Sequence, residues 1–177
     1  MRKIYIIATN NSTVPSKLFK LFTNVKYVHI SIALDKKLKR VYSFGRKKVN
    51  WILPAGFVEE DYEIICGHCN NSICRVYELE ITSKQYHSLK RELRTYRKDA
   101  LKYRYNIMGL PMLNFKLAYH RRYHYVCSQF CGKLLSDAGV YDFKKDYSIL
   151  KPKDFFEIEG TKLIYEGKTF DYIKELI

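Results

Sequence analysis

The chain has 177 residues, of which 47% are hydrophobic, and this fits one folded domain over residues 1–177 and excludes a disordered chain. No apolar run approaches the roughly 20 residues of a membrane-spanning helix, and the start lacks the pattern of a secretory leader, so we expect a cytoplasmic protein. The net charge of +14 favours anionic partners, and the odd count of five cysteines argues against a disulfide framework.

The first half of the chain is predicted to consist mainly of strands. Residues 3–8 predict a buried strand, and residues 16–22 predict a short helix. Residues 27–34 and 39–45 predict an antiparallel hairpin around the polar turn Asp35-Lys36-Lys37. Strand alternation in the first of these two segments places His29 and Ser31 on one face and the larger apolar residues on the other. Residues 51–71 show no regular pattern, and we assign no element to them.

The second half alternates between strands and helices. Residues 73–81 predict a strand, and a long helix follows from a cap at Thr82 or Ser83 to about residue 101. Residues 106–119 predict a loop or a short helical segment, and a helix is expected from Cys127 to about Ala138, where Gly139 ends it. A helical turn at 152–156, a strand at 162–165 and a helix at 170–177 complete the chain. Strands followed by helices indicate an α+β domain.

Cys127 is the candidate nucleophile. It lies in the first turn of a predicted helix, where the helix dipole and unpaired amides stabilise a thiolate and can bind an oxyanion. A single cysteine on the apolar face of a helix is usually a small, buried core residue, and we interpret Cys131 only in this way. His29 is the candidate general base because its strand neighbours on the same face are small, which allows a helix to approach. His124 is the alternative base.

Ser43 is the candidate third member of the site. With Asp35-Lys36-Lys37 as the turn, His29 lies directly opposite Ser43, whose hydroxyl could orient the imidazole. A two-residue turn at Lys36-Lys37 would instead pair His29 with Phe44, and the sequence leaves this register open.

Four segments of the sequence carry a family resemblance. They are YVHISIALD (residues 27–35), VYSFGRK (41–47), YVCSQFCGKLLSDAG (125–139) and ILKPKDFF (149–156). Together they resemble the circularly permuted branch of the NlpC-type papain-like hydrolases, in which the His-bearing strand precedes the Cys-bearing helix. The resemblance implies an antiparallel sheet packed against helices, with Cys127, His29 and Ser43 at the catalytic positions. It also implies hydrolysis of an amide or ester through a thioester. Relatives often carry an acidic residue where Ser43 stands.

Two other segments suggest other chemistry. Cys66, His68, Cys69 and Cys74 include one Cys-x-x-Cys pair, but no second pair follows, so we expect no bound metal and no cofactor. Residues 119–125 interleave basic and aromatic side chains, which could bind an anionic ligand. We therefore expect a small-molecule, peptide or acyl substrate, salt-sensitive attraction to anionic membrane surfaces, and no sequence-specific nucleic-acid binding. The alternative function is that of an inactive or weakly active papain-like scaffold that binds an anionic ligand, either a lipid headgroup or nucleic acid.

Overall fold

The computed structural model describes residues 1–10, 26–47, 54–60, 62 and 72–176. In this part of the chain, six strands form one antiparallel sheet in the order β4-β3-β2-β1-β5-β8. A separate pair, β6 and β7, is parallel and short. The strands are β1 (Arg2–Asn10), β2 (His29–Ala33), β3 (Val41–Arg46), β4 (Ala55–Glu60), β5 (Ile73–Ile81), β6 (Arg104–Tyr105), β7 (His124–Tyr125) and β8 (Thr161–Lys168).

The described helices are α1 (Ser83–Lys98), α2 (Gly109–Asn114), α3 (Cys127–Asp137) and α4 (Thr169–Leu176), with 3-10 turns at Tyr147–Ile149 and Pro152–Glu157. Helix α1 begins with a capping box. The Gln85 amide donates to Thr82 Oγ1 at 3.2 Å, and the Thr82 amide donates to Gln85 Oε1 at 2.8 Å. Helix α3 ends before Gly139, whose φ of +67° is a left-handed conformation that glycine adopts without strain.

The two faces of the sheet bury separate apolar clusters, as strand alternation requires. Helices α1 and α3 cover the larger cluster, in which the rings of Phe44 on β3 and Phe130 on α3 lie 5.0 Å apart. The smaller cluster includes Ile7 of β1 and Ile173 of α4. Because Phe130 fixes α3 against β3, the first turn of α3 lies beside the start of β2.

Most of the predicted elements are confirmed, and so is the α+β class. The strand at 73–81 has the predicted bounds, and α3 starts at the predicted residue. The expected helix at 16–22 lies outside the described residues. Strand β4 was not predicted, and it lies in the segment 51–71 that showed no regular pattern.

Candidate active site

The start of α3 is held by the side chains that follow Cys127. Gln129 accepts a hydrogen bond from the Val126 amide at 3.0 Å through Oε1 and donates to the Ser148 carbonyl at 2.8 Å through Nε2. Ser128 donates to the Leu150 carbonyl at 2.6 Å. Both side chains are almost completely buried. The Ser-Gln pair of the motif therefore anchors the helix terminus, and Cys127 is left as the first helical residue, where the amides have no intrahelical acceptor.

The two cysteines of α3 have different surroundings. The Cys127 thiol lies 3.9 Å from the carbonyl oxygen of Val28, the residue before His29, and it contributes to raising the pKa of the His29 imidazole. Cys131, one turn further on, donates to the Ile30 carbonyl at 3.5 Å. Burial raises the pKa of the Cys131 thiol well above its ordinary value, and the nearby Cys127 adds to this rise. Cys131 is therefore a protonated core thiol, as expected.

His29 lies between Cys127 and two groups on neighbouring strands. Its Nε2 is 2.5 Å from Glu60 Oε1 and 3.1 Å from Ser43 Oγ, which leaves Nδ1 for the thiol. Ser43 donates its own hydroxyl hydrogen to the Ile30 carbonyl at 3.0 Å, so its oxygen accepts from the imidazole. The structure thus brings together all three predicted residues and adds a carboxylate to them.

The predicted register of the β2–β3 hairpin is wrong by two residues. Ala33 pairs with Val41, and extending that register places Gly45, rather than Ser43, opposite His29. The cause is a longer loop, in which the Leu34 amide donates to the Arg40 carbonyl at 3.0 Å. A two-residue shift keeps every side chain on its own face, whereas a one-residue shift would reverse the faces. Ser43 therefore still reaches His29, but diagonally.

Glu60 is the member of the site that sequence reasoning missed. It ends β4 beside Glu59, and strand alternation sends the two carboxylates in opposite directions. Glu59 forms an ion pair with Arg97 at 2.7 Å, while Glu60 turns inward to His29 and its side chain is only 9% exposed. The adjacent acids Glu59 and Glu60 indicate an inward-facing carboxylate only if residues 55–60 are already assigned to a strand.

The charge state of His29 follows from this neighbour. Burial lowers the pKa of the imidazole, but the Glu60 carboxylate and the hydrogen bonds to Cys127 and Glu60 outweigh it, and the pKa is raised well above 6.5. An imidazole that is held by a carboxylate beside a cysteine is a general arrangement for activating a sulfur nucleophile. The arrangement can therefore generate a nucleophile and hold the proton that a leaving group needs.

Two tyrosines complete the surroundings. Tyr62 is buried and its hydroxyl lies 2.9 Å from Ser31 Oγ. Burial and the Glu60 carboxylate raise the pKa of Tyr62 well above 10, so it stays a neutral phenol. Burial, with a smaller effect of Cys127, also raises the pKa of Tyr105. Tyr105 lies on β6, where it pairs with Tyr125, two residues before Cys127.

The other sequence candidates lie elsewhere. His124, the alternative base, directs Nδ1 to the Arg122 carbonyl at 2.8 Å. Cys66, His68 and Cys69 lie outside the described residues, and Cys74 is buried in the smaller cluster. In the part of the chain that is described, no group of three or more His, Cys, Asp or Glu residues is arranged to hold a metal. Absence of zinc stays a prediction, which elemental analysis would test.

The basic and aromatic segment at 119–125 borders a cleft of about 440 Å³. Arg122 lies 4.8 Å from the ring centre of Tyr123 on its rim. The cleft is lined by tyrosines and by charged side chains of both signs, which include Arg121, Arg122, Lys133, Glu92 and Asp137.

Comparisons with known proteins add no further assignment. No family model matches the chain, and no curated protein or solved structure is similar to it. Within the described ranges, none of the helices has both the length and the apolar character needed to cross a bilayer.

Proposed function

We propose that this protein is a cysteine hydrolase of the circularly permuted papain-like type, which cleaves an amide or ester bond. One observation carries the proposal: the imidazole of His29 contacts the nearly buried carboxylate of Glu60, and the thiol of Cys127 lies beside this histidine, 3.9 Å from the Val28 carbonyl oxygen. A nucleophile, a base and a group that orients the base are the three components of such a site. The order of the elements, with the histidine strand β2 before the cysteine helix α3, is that of the permuted branch.

In the first half of the reaction, the Cys127 thiolate attacks the substrate carbonyl carbon. The amides at the start of α3 are placed to stabilise the developing oxyanion. His29 then gives its proton to the departing nitrogen or oxygen as the bond to the carbonyl carbon breaks, which leaves a thioester.

In the second half, His29 takes a proton from water, and the water oxygen bonds to the acyl carbon. The carbon–sulfur bond breaks, the acid leaves, and the thiolate–imidazolium pair is restored. Glu60 keeps Nε2 protonated throughout and holds the ring with Nδ1 toward sulfur. Ser43 assists as a neutral acceptor on the same nitrogen. Glu60 thus takes the acidic third position, and Ser43 is secondary.

The cleft at residues 119–125 supports a second candidate function, which is binding of an anionic ligand by a scaffold without activity. Arg121, Arg122 and Lys133 outnumber the two carboxylates of the cleft, Glu92 and Asp137, and the arginine over a tyrosine ring offers a planar anionic group both a charge and a stacking surface. The two functions differ in whether Cys127 is activated. Cys127 and Cys131, which form no disulfide, suit the reducing cytoplasm, which we propose as the location.

The test is iodoacetamide labelling at about pH 6, followed by peptide mass spectrometry. Cys127 should react faster than Cys131 and Cys74, all three of which are almost completely buried. Because burial also limits access, His29→Ala is the deciding variant: it opens space beside the thiol but removes the cation. Slower labelling of Cys127 in His29→Ala supports activation. Faster labelling would mean that His29 only blocks the thiol, and the hydrolase proposal would fail.

A further inference from the structure

Exposed apolar side chains concentrate around one short helix. Among the described residues, eight large hydrophobic side chains are exposed, and five of them lie between residues 101 and 117. We define the α2 surface by four of these, which flank α2 at both ends: Ile107 (54% exposed), Met108 (58%), Phe115 (73%) and Leu117 (56%). Scattered single apolar residues are normal on a protein surface, but a cluster indicates a contact site.

The fold holds these side chains outward. Met108 and Phe115 are seven residues apart, which is close to two helical turns, so they lie on the same side of α2. The opposite side is fixed to the domain, since Leu113 is buried and the Gly109 amide donates to Asn106 Oδ1 at 3.0 Å. Asn106 is itself almost fully buried. The apolar side of α2 is therefore presented on a rigid base.

The segment of sequence around α2 is basic. No Asp or Glu occurs from Ala100 to Ser136, a stretch that contains six Lys or Arg residues. Lys102 and Lys133 have acidic partners that lie just outside the stretch. The remaining cations have no ion pair with any described residue: Arg104, Lys116, Arg121 and Arg122. Exposed apolar groups beside unpaired cations match the chemistry of an anionic bilayer, with acyl chains below a layer of phosphates.

We propose that the α2 surface docks on anionic lipid bilayers, with Met108, Phe115 and Leu117 in the headgroup region and the neighbouring cations on lipid phosphates. A protein partner would need an apolar centre surrounded by acidic groups in a matching arrangement. An anionic bilayer presents acyl chains and phosphates across its whole surface, so no such match is needed. The surface is also tied to the candidate site, because the Asn106 amide donates to the Tyr125 carbonyl at 3.0 Å, two residues before Cys127. Docking does not depend on the proposed hydrolysis.

Vesicle flotation tests the surface with matched variants. The full chain with Cys127→Ser, which prevents any hydrolysis of lipid, is mixed with phosphatidylcholine vesicles that contain about one-third phosphatidylglycerol. Phe115→Ser with Leu117→Ser should weaken binding about tenfold, whereas Leu163→Ser with Phe170→Ser, which changes exposed apolar residues elsewhere, should not. Lys116→Gln with Arg121→Gln and Arg122→Gln should also weaken binding, whereas Lys37→Gln with Lys84→Gln and Lys174→Gln should not. Circular dichroism checks that each variant is folded.

A fluorescence measurement separates insertion from adsorption by charge alone. Phe115→Trp should shift its emission to the blue on these vesicles, and Phe170→Trp should not, with Trp51 giving the same background in both. No vesicle binding, or binding without a shift at Phe115→Trp, would overturn the proposal. Self-association that Phe115→Ser abolishes, together with absence of vesicle binding, would assign the surface to contact between copies of the chain.

Discussion

Glu60→Gln tests the carboxylate that the sequence did not predict. The change keeps the shape of the side chain and an oxygen that can accept from His29 Nε2, but it removes the negative charge. A hydrogen bond to a charged group contributes about 1.5–3 kcal/mol and a neutral one about 0.5–1.5 kcal/mol, so the loss is about 1–2 kcal/mol. Because Glu60 is nearly buried and the contact is 2.5 Å long, solvent screening reduces this little. We expect Cys127 to label about 5- to 30-fold more slowly at pH 6.

The same variant changes how stability depends on pH. In the wild type the folded-state pKa of His29 is raised above its unfolded value near 6.5, chiefly by Glu60 against the effect of burial. This interaction is fully present below pH 6.5. Its contribution is lost as pH rises through the folded pKa, because the folded state then binds more protons than the unfolded state. In Glu60→Gln the pKa of His29 should fall, so that this decline in the free energy of unfolding becomes weaker.

Two measurements test this role of Glu60, and neither needs a substrate. NMR titration of the His29 ring protons shows whether the pKa of His29 falls in Glu60→Gln. Urea unfolding between about pH 6 and 9 shows how the free energy of unfolding changes with pH. Ser43→Ala is the control, because it removes a neutral acceptor from the same nitrogen, and the hydrogen bond to the Ile30 carbonyl, while it leaves the charge of Glu60 in place. If Glu60→Gln left the titration of His29 unchanged, or if Ser43→Ala slowed labelling more, Glu60 would not be the orienting group.

Three further changes test the site and its supports. Cys127→Ser should abolish turnover of any identified amide or ester substrate and leave the melting temperature nearly unchanged; retained turnover would contradict the mechanism. Gly132→Ala places a Cβ against Leu150, which is fully buried. The cost of overpacking should exceed the gain in helix propensity, so that urea titration should show a free energy of unfolding lower by about 1 kcal/mol. An unchanged midpoint would show that Leu150 can move. Tyr62→Phe should cost about 1 kcal/mol, since it leaves buried Ser31 without its phenol partner; Ser31→Ala with Tyr62→Phe should recover most of this.

The fold and two members of the site follow from local patterns. The apolar spacing and the stop at Gly139 predict α3, and the alternation around His29 predicts β2 and the face that the imidazole occupies. These features depend on a few neighbouring residues, so they can be predicted from one sequence. The hairpin register depends on the loop, where Leu38 adopts a left-handed φ of +54° and is buried. A leucine carries no signal for such a conformation, and the predicted loop was therefore too short.

Glu60 could not be predicted in the same way, because its role depends on two registers at once. Strand β4 must pair with β3 so that Val41 faces Glu60, and β3 must pair with β2 so that His29 comes within reach. Shifting β4 by one residue would bring Glu59 to the imidazole instead, and the two residues are chemically alike. The sequence thus holds two candidate acids, and only the assembled sheet selects one. Replacing each acid separately tests this selection. Glu59→Gln should keep the fast labelling of Cys127, because Glu59 contacts Arg97 rather than His29, whereas Glu60→Gln should slow it. Equal effects of the two changes would show that long-range charge, and not the contact with Nε2, sets the state of the histidine.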